Sequence, residues 1–296
     1  MSSAEPLSPP TSRAVRRFAV AWRNRQLRVI TPVGELDYRA GGYRFQYLEG
    51  VGGSVAGFRP FIGFPDLNRV YESARLWPFF DLRVMDRKRP DYPQYVRWLG
   101  LTVEASRLDI LSRSGGGQKG DNVYLAESPS VADDGATEAV FLARGARYAV
   151  PQYRTEAIVN SLRAGDRLTL MDDSTNEANP RALLLETPDG APVGWVPDLL
   201  VDYAHQVRSG GGSAELLQNN GPAAPWHARL LVRLSGRVAP GTALFTGELA
   251  SSRYTCLPAA SRLRSVRDPA IPVSWPVDWR QAGEPSSAAR PRDVQP

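Results

Sequence analysis

Two histidines and one cysteine are the strongest nucleophile or metal-ligand candidates in this chain of 296 residues. His205 falls near the end of an expected helix over 198–207, where the helix dipole favours a cation whatever the chemistry. His227 opens an expected strand beside Trp226, and no Ser or Cys nucleophile stands in a recognisable motif near either histidine. Asp172 and Asp173 pair up in a loop, where a turn role is commoner than acid–base work. Cys256 has no cysteine to pair with, and with two histidines it cannot complete a tetrahedral zinc site. The run Gly115-Gly-Gly-Gln-Lys119-Gly-Asp121 has the glycines and lysine of a phosphate loop, but lacks both the G-K-[ST] ending and the preceding strand. It reads as a plain loop. No catalytic residue, metal or cofactor is expected, and the chain makes no case for an enzyme.

Charge points to binding instead. A net charge of +5 and a pI near 9.5 suit a polyanionic partner. Lysine occurs only at 88 and 119, so nearly all of the basic charge is arginine. The densest basic run, Arg83, Arg87, Lys88 and Arg89, is interleaved with Asp81, Asp86 and Asp91. Such a run is either a self-paired solvated surface or a path for phosphates. There is no apolar run of about 18 residues to span a bilayer, and residues 1–17 lack the apolar core of a secretory signal. A cytoplasmic protein without a membrane partner is expected.

The elements that would position these groups divide the chain in two. Residues 1–14 are Ser- and Pro-rich and expected to be a disordered tail. Strands are expected over 18–22 and 27–30, and a third where Tyr43, Phe45 and Tyr47 alternate. Five prolines between 60 and 93 keep the following helices short. Asp66 is placed to cap a helix over 67–73 and Asp91 one over 92–99, while Ser106 and Asp109 form a capping box for 108–112. Residues 128–137, small and acidic, read as a linker. Beyond a short polar helix, apolar runs at 168–171, 182–185 and 193–196 are bounded by turn residues, and Asp189-Gly190 supplies a hairpin turn. After the helix over 198–207, residues 208–225 read as a flexible excursion. Strands are then expected over 226–235, 242–246 and 253–257, with a Pro-, Ser- and Arg-rich tail over 266–296 in which Trp275 and Trp279 are candidates to dock. The fold class is α+β: a small mixed strand and helix domain over 15–127, then a small β-barrel with helices over 138–265.

The second half resembles the HIRAN domain, a small β-barrel. The family's order is a G-x-R-Y strand, a G-D turn, a strand ending in an acidic residue, an N-P-x-D-x-x-A loop and a G-Y/H-V-P strand before a helix. This chain keeps Gly145, Arg147, Tyr148, Gly165, Asp166, Asn176, Ala182, Gly194, Val196 and Pro197 in that order. It departs at Ala178, at Asn179, where the family has Asp, and at Trp195, commonly Tyr or His. The resemblance implies a pocket for single-stranded DNA or DNA 3′ ends, formed by Arg147, Tyr148, Asn176, Asn179, Arg181 and Trp195. Tyrosine offers a face on which a base stacks, and arginine offers fixed donors to a phosphate. Where the family's carboxylate accepts from the terminal 3′ hydroxyl, Asn179 accepts more weakly, so that preference is expected to be reduced. The family's usual Tyr beside that acid is Ala178 here, and Trp195 either replaces the stacking platform lost there or faces the core.

Residues 15–127 resemble the N-terminal subdomain of HipA-type kinases, on Tyr43-Arg-Phe45-Gln-Tyr47, Phe79-Phe80-Asp81-Leu82-Arg83, and residues 109–115 leading to Val123-Tyr-Leu125. No H-R-D or D-F-G element follows, so no kinase activity is expected. The resemblances imply a non-enzymatic nucleic-acid-binding protein. The alternative is an antitoxin-like partner of a separate HipA-type kinase.

Overall fold

The computed structural model describes residues 15–39, 41–118, 120–149 and 152–239. The expected tails, the strands over 242–246 and 253–257, Cys256, Trp275 and Trp279 lie outside them. The described chain is α+β, built on two antiparallel sheets.

The amino-terminal sheet has the order β4-β3-β2-β1-β5. Strand β1 (Val15–Arg23) pairs with β2 (Ile30–Arg39), which begins where the second expected strand was to end, because residues 25–27 take up the turn. In β3 (Gly42–Tyr47) the alternation is as expected, with Phe45 and Tyr47 turned inward. After α1 (Val51–Ser54), the expected helix over 67–73 is absent. Asp66 Oδ1 accepts from Asn68 N at 2.9 Å, a tight side-chain turn, and the chain extends as β4 (Tyr71–Ser73) against β3. Phe45, Phe64 and Phe80 meet at the centre of this half's core, with Phe80 on α2 (Pro78–Asp81). Helix α3 (Tyr92–Trp98) begins beside Asp91, whose carboxylate pairs with Arg89 and does not cap the helix. In α4 (Arg107–Ser114) the capping box is present, and Gly115, at φ 72°, closes the helix. Strand β5 (Val123–Glu127) then returns along β1.

The basic run is mainly structural. The Arg83 side chain is almost wholly buried, donating to the Phe79 and Gly116 carbonyls and pairing with Asp121. Arg87 donates to the Glu104 and Ala105 carbonyls.

The expected linker over 128–137 is a hairpin: β6 (Ser130–Val131) turns back onto β7 (Ala136–Leu142). Helix α5 (Gln152–Ser161) leads to β8 (Arg167–Asp172), β9 (Leu183–Glu186) and β10 (Pro192–Trp195). A 3-10 turn (Asp198–Leu200) runs into α6 (Val201–Ser209), matching the helix expected there. The expected flexible excursion contains β11 (Ser213–Asn219), which inserts between β8 and β12 (Leu230–Arg237). Residues Trp226–Ala228, expected at the start of a strand, form a 3-10 turn instead.

The second sheet runs β10-β9-β8-β11-β12-β7-β6. Its two flanks meet. Arg144, just beyond β7, exchanges both backbone hydrogen bonds with Trp195 at the end of β10, each at 2.8 Å. That bridge brings six strands, β10 to β7, round on themselves and covers the outer edge of β10 at Trp195.

Candidate nucleic-acid interface

The closure point is also where the sequence-predicted residues gather. Backbone must come close to backbone there, and two glycines allow it. Gly145 has φ 63°, and a Cβ on it would lie 2.6 Å from the Trp195 indole. A Cβ on Gly194, at φ 149°, would lie 2.9 Å from the Arg144 carbonyl oxygen. The left-handed step at Gly145 turns the chain out of the β7 direction into a single 3-10 turn, Ala146–Tyr148. Arg147 and Tyr148 were expected on a strand. They stand on this turn, since the chain has left the ladder after its bridge to Trp195.

Trp195 is fixed from two directions, so neither of its expected roles describes it fully. Its indole rests on Gly145, and its Nε1 donates to Asp173 Oδ2 at 2.8 Å. Asp173 also accepts from Thr175 Oγ1 at 2.7 Å and from Asn176 Nδ2 at 3.4 Å. Burial pushes the Asp173 carboxyl up, but the bonds from Thr175, Trp195 and Asn176 outweigh it and hold the group below its ordinary range. The expected turn role for Asp173 is therefore present, and the carboxylate also ties the loop to the indole.

The loop side chains are committed to the loop and to the turn and helix that follow β10. Asn176 Oδ1 accepts from the Ala178 and Asn179 N–H groups, both at 3.1 Å. Asn179 Oδ1 accepts from Arg181 N at 3.0 Å, and its Nδ2 donates to Asp198 Oδ1 at 2.9 Å. Arg181 Nε lies 3.3 Å from Asp202 Oδ1 on α6. His205 Nε2 is 2.9 Å from the Arg181 carbonyl, so this histidine pins the loop to α6. Asp173, Asp198 and Asp202 thus belong to the site's frame. Asp173 alone had a local signal, its place in a turn; the other two are distant in sequence.

Arg147 and Tyr148 differ from these neighbours. Neither makes a side-chain hydrogen bond or ion pair among the described residues, and Tyr148 is 56% exposed. The fold joins them to Trp195 through Gly145, and joins Trp195 to the Asn176–Arg181 stretch through Asp173. No side-chain contact links Arg147 or Tyr148 to that stretch directly among the described residues.

No protein-family model matches this chain, and no curated protein does. Among solved structures, it is similar to the crystal structure of the HIRAN domain of human HLTF, with 12% identity over 41% of this chain and 87% of that one, at a TM-score of 0.26. A likeness at that score carries no weight for fold or site. The HipA-type resemblance of residues 15–127 gains no support from family models or curated proteins. Among the described residues no helix is long and apolar enough to cross a membrane.

Proposed function

We propose that this protein binds nucleic acid, single-stranded DNA or DNA ends, at the Arg147–Tyr148 turn, and that it acts by binding without catalysis. The observation that carries the reading is the state of those two side chains. Among the described residues they have no side-chain hydrogen bond or ion pair, beside a loop in which the candidate polar groups are already engaged. A phenol ring on a short turn, with its base buttressed by an indole, is a ready stacking face for any base. The neighbouring guanidinium supplies donors to a phosphate. Asn179 Oδ1 keeps one lone pair beyond its bond to Arg181 N, so discrimination in favour of a 3′ hydroxyl is weak.

Fluorescence anisotropy with short oligonucleotides ending in a 3′ hydroxyl or a 3′ phosphate tests this. Binding should weaken as salt rises, and Tyr148→Ala should lower affinity about tenfold, the effect of losing one stacked base at ~1–3 kcal/mol. Arg147→Ala should lower it too and flatten the salt dependence. Unchanged affinity in both variants would remove the turn from the interface.

A further inference from the structure

A cavity of about 130 Å³ lies where α4 and β5 of the amino-terminal half face β7 of the barrel, and Arg16, Arg113 and Arg144 line it. Arg16 is fully engaged: its Nε and Nη2 each donate to Glu127 at 2.7 Å, and its Nη1 donates to Asp109 at 2.7 Å. Arg113 is not. It makes no side-chain hydrogen bond or ion pair among the described residues, and its Nη1 is sealed from solvent without an acceptor. Among the described residues the Arg144 side chain hydrogen-bonds only the Ser114 carbonyl, at the long limit of 3.5 Å. Its guanidinium lies against the end of α4, where a Cβ on Gly115 would come within 2.7 Å of Nη2.

The remaining charges do not satisfy this pair. Asp109 and Glu127 are bonded to Arg16. Glu138, the third carboxylate on the wall, faces Arg233 at 4.0 Å. These carboxylates attract Arg113 without bonding it, Arg16 repels it, and burial lowers the pKa of both Arg113 and Arg144. A guanidinium cannot shed its charge at ordinary pH, so a buried donor of this kind calls for an acceptor. The group complementary to two such forks is an oxyanion.

We propose that this cavity binds a compact oxyanion of the phosphate class, held by Arg113 and Arg144. Two sources offer that chemistry: free inorganic phosphate and the terminal phosphate of an oligonucleotide. The site stands on its own contacts and does not rest on the proposed function, whose failure would leave it intact.

The test is thermal melting of the full chain titrated with inorganic phosphate, against chloride at matched ionic strength. Phosphate should raise the midpoint saturably, on the order of a few degrees. Arg113→Met should abolish the rise and leave the phosphate-free midpoint equal or higher, because an apolar side chain replaces a buried charge without an acceptor. Arg144→Gln should weaken the response by removing the second fork. Anisotropy with 5′-phosphorylated and unphosphorylated oligonucleotides separates the sources. A preference for the phosphorylated strand that R113M loses identifies the nucleic acid as the source; a phosphate-specific rise with no such preference identifies the free ion. The proposal is overturned if neither effect occurs, if both persist undiminished in R113M, or if R113M melts lower in phosphate-free buffer, which would make Arg113 a structural partner.

Discussion

Gly145 decides where the candidate interface points, and it does so by what it lacks. Its left-handed backbone turns the chain outward, and its missing Cβ leaves room for the Trp195 indole. Gly145→Ala meets both obstacles at once. It should cost about 1–3 kcal/mol, read by urea denaturation, and more if the indole cannot shift. Neighbouring residues were legible in sequence to different degrees. The candidate status of Arg147 and Tyr148 came from the resemblance, and the lack of side-chain hydrogen bonds or ion pairs to them among the described residues came from the structure. Asn179, a candidate from the same resemblance, also ties its own loop to Asp198, because an amide can donate and accept at once.

At the scale of elements, α4 is the piece whose local code and tertiary position coincide. Ser106 Oγ accepts from Asp109 N at 3.1 Å while Asp109 Oδ2 accepts from Ser106 N at 2.9 Å, and Asp109 Oδ1 also accepts from Arg16 on β1. The helix start is thus fixed by its own sequence and then anchored to the sheet. Ser106→Ala should lower stability by about 1 kcal/mol in a denaturant titration, with oligonucleotide affinity unchanged because the Ser106 side chain bonds within its own capping box. Other elements were harder to read. The stretch over 67–73 carries a good capping residue, yet Tyr71 is drawn into the aromatic core and its hydroxyl bonds the Asp66 backbone, which favours an extended segment. Strand β11 was hidden because its two flanking glycine and asparagine clusters look like a mobile connection, and only its partners β8 and β12 make it a strand.

On the scale of the whole molecule, the two halves share their interior. Leu231 of β12 packs in the amino-terminal core, and Ala21 and Ala126 of the amino-terminal sheet pack in the barrel's core. Each core also buries a tyrosine whose pKa burial pushes up to about 12: Tyr47, bonded to the Phe61 N–H and the Phe64 carbonyl, and Tyr203, beside Thr137. The folded pKa exceeds the unfolded value of about 10. Stability from these groups is therefore fully present below pH ~10 and is lost as pH rises toward about 12. Alkaline unfolding, followed by a fluorescent probe in each half, should show one shared transition in that window. Tyr203→Phe should move its midpoint upward. Two separate transitions would instead favour independent halves at the expected 128–137 boundary.

The sequence by itself determined the local events: the α4 capping box, the alternation in β3, the hairpin between β9 and β10 and the helix after Pro197. Each of these depends on side-chain spacing along one segment, which the chain carries wherever it folds. Only the tertiary structure decided that β7 meets β10 at Arg144 and Trp195, that Arg83 and Arg113 are drawn inward, and that Arg181 is tied to α6 and Asn179 to the 3-10 turn before it. Those outcomes depend on which distant segments compete for the same donors and the same buried space, and that competition exists only once the chain has closed on itself.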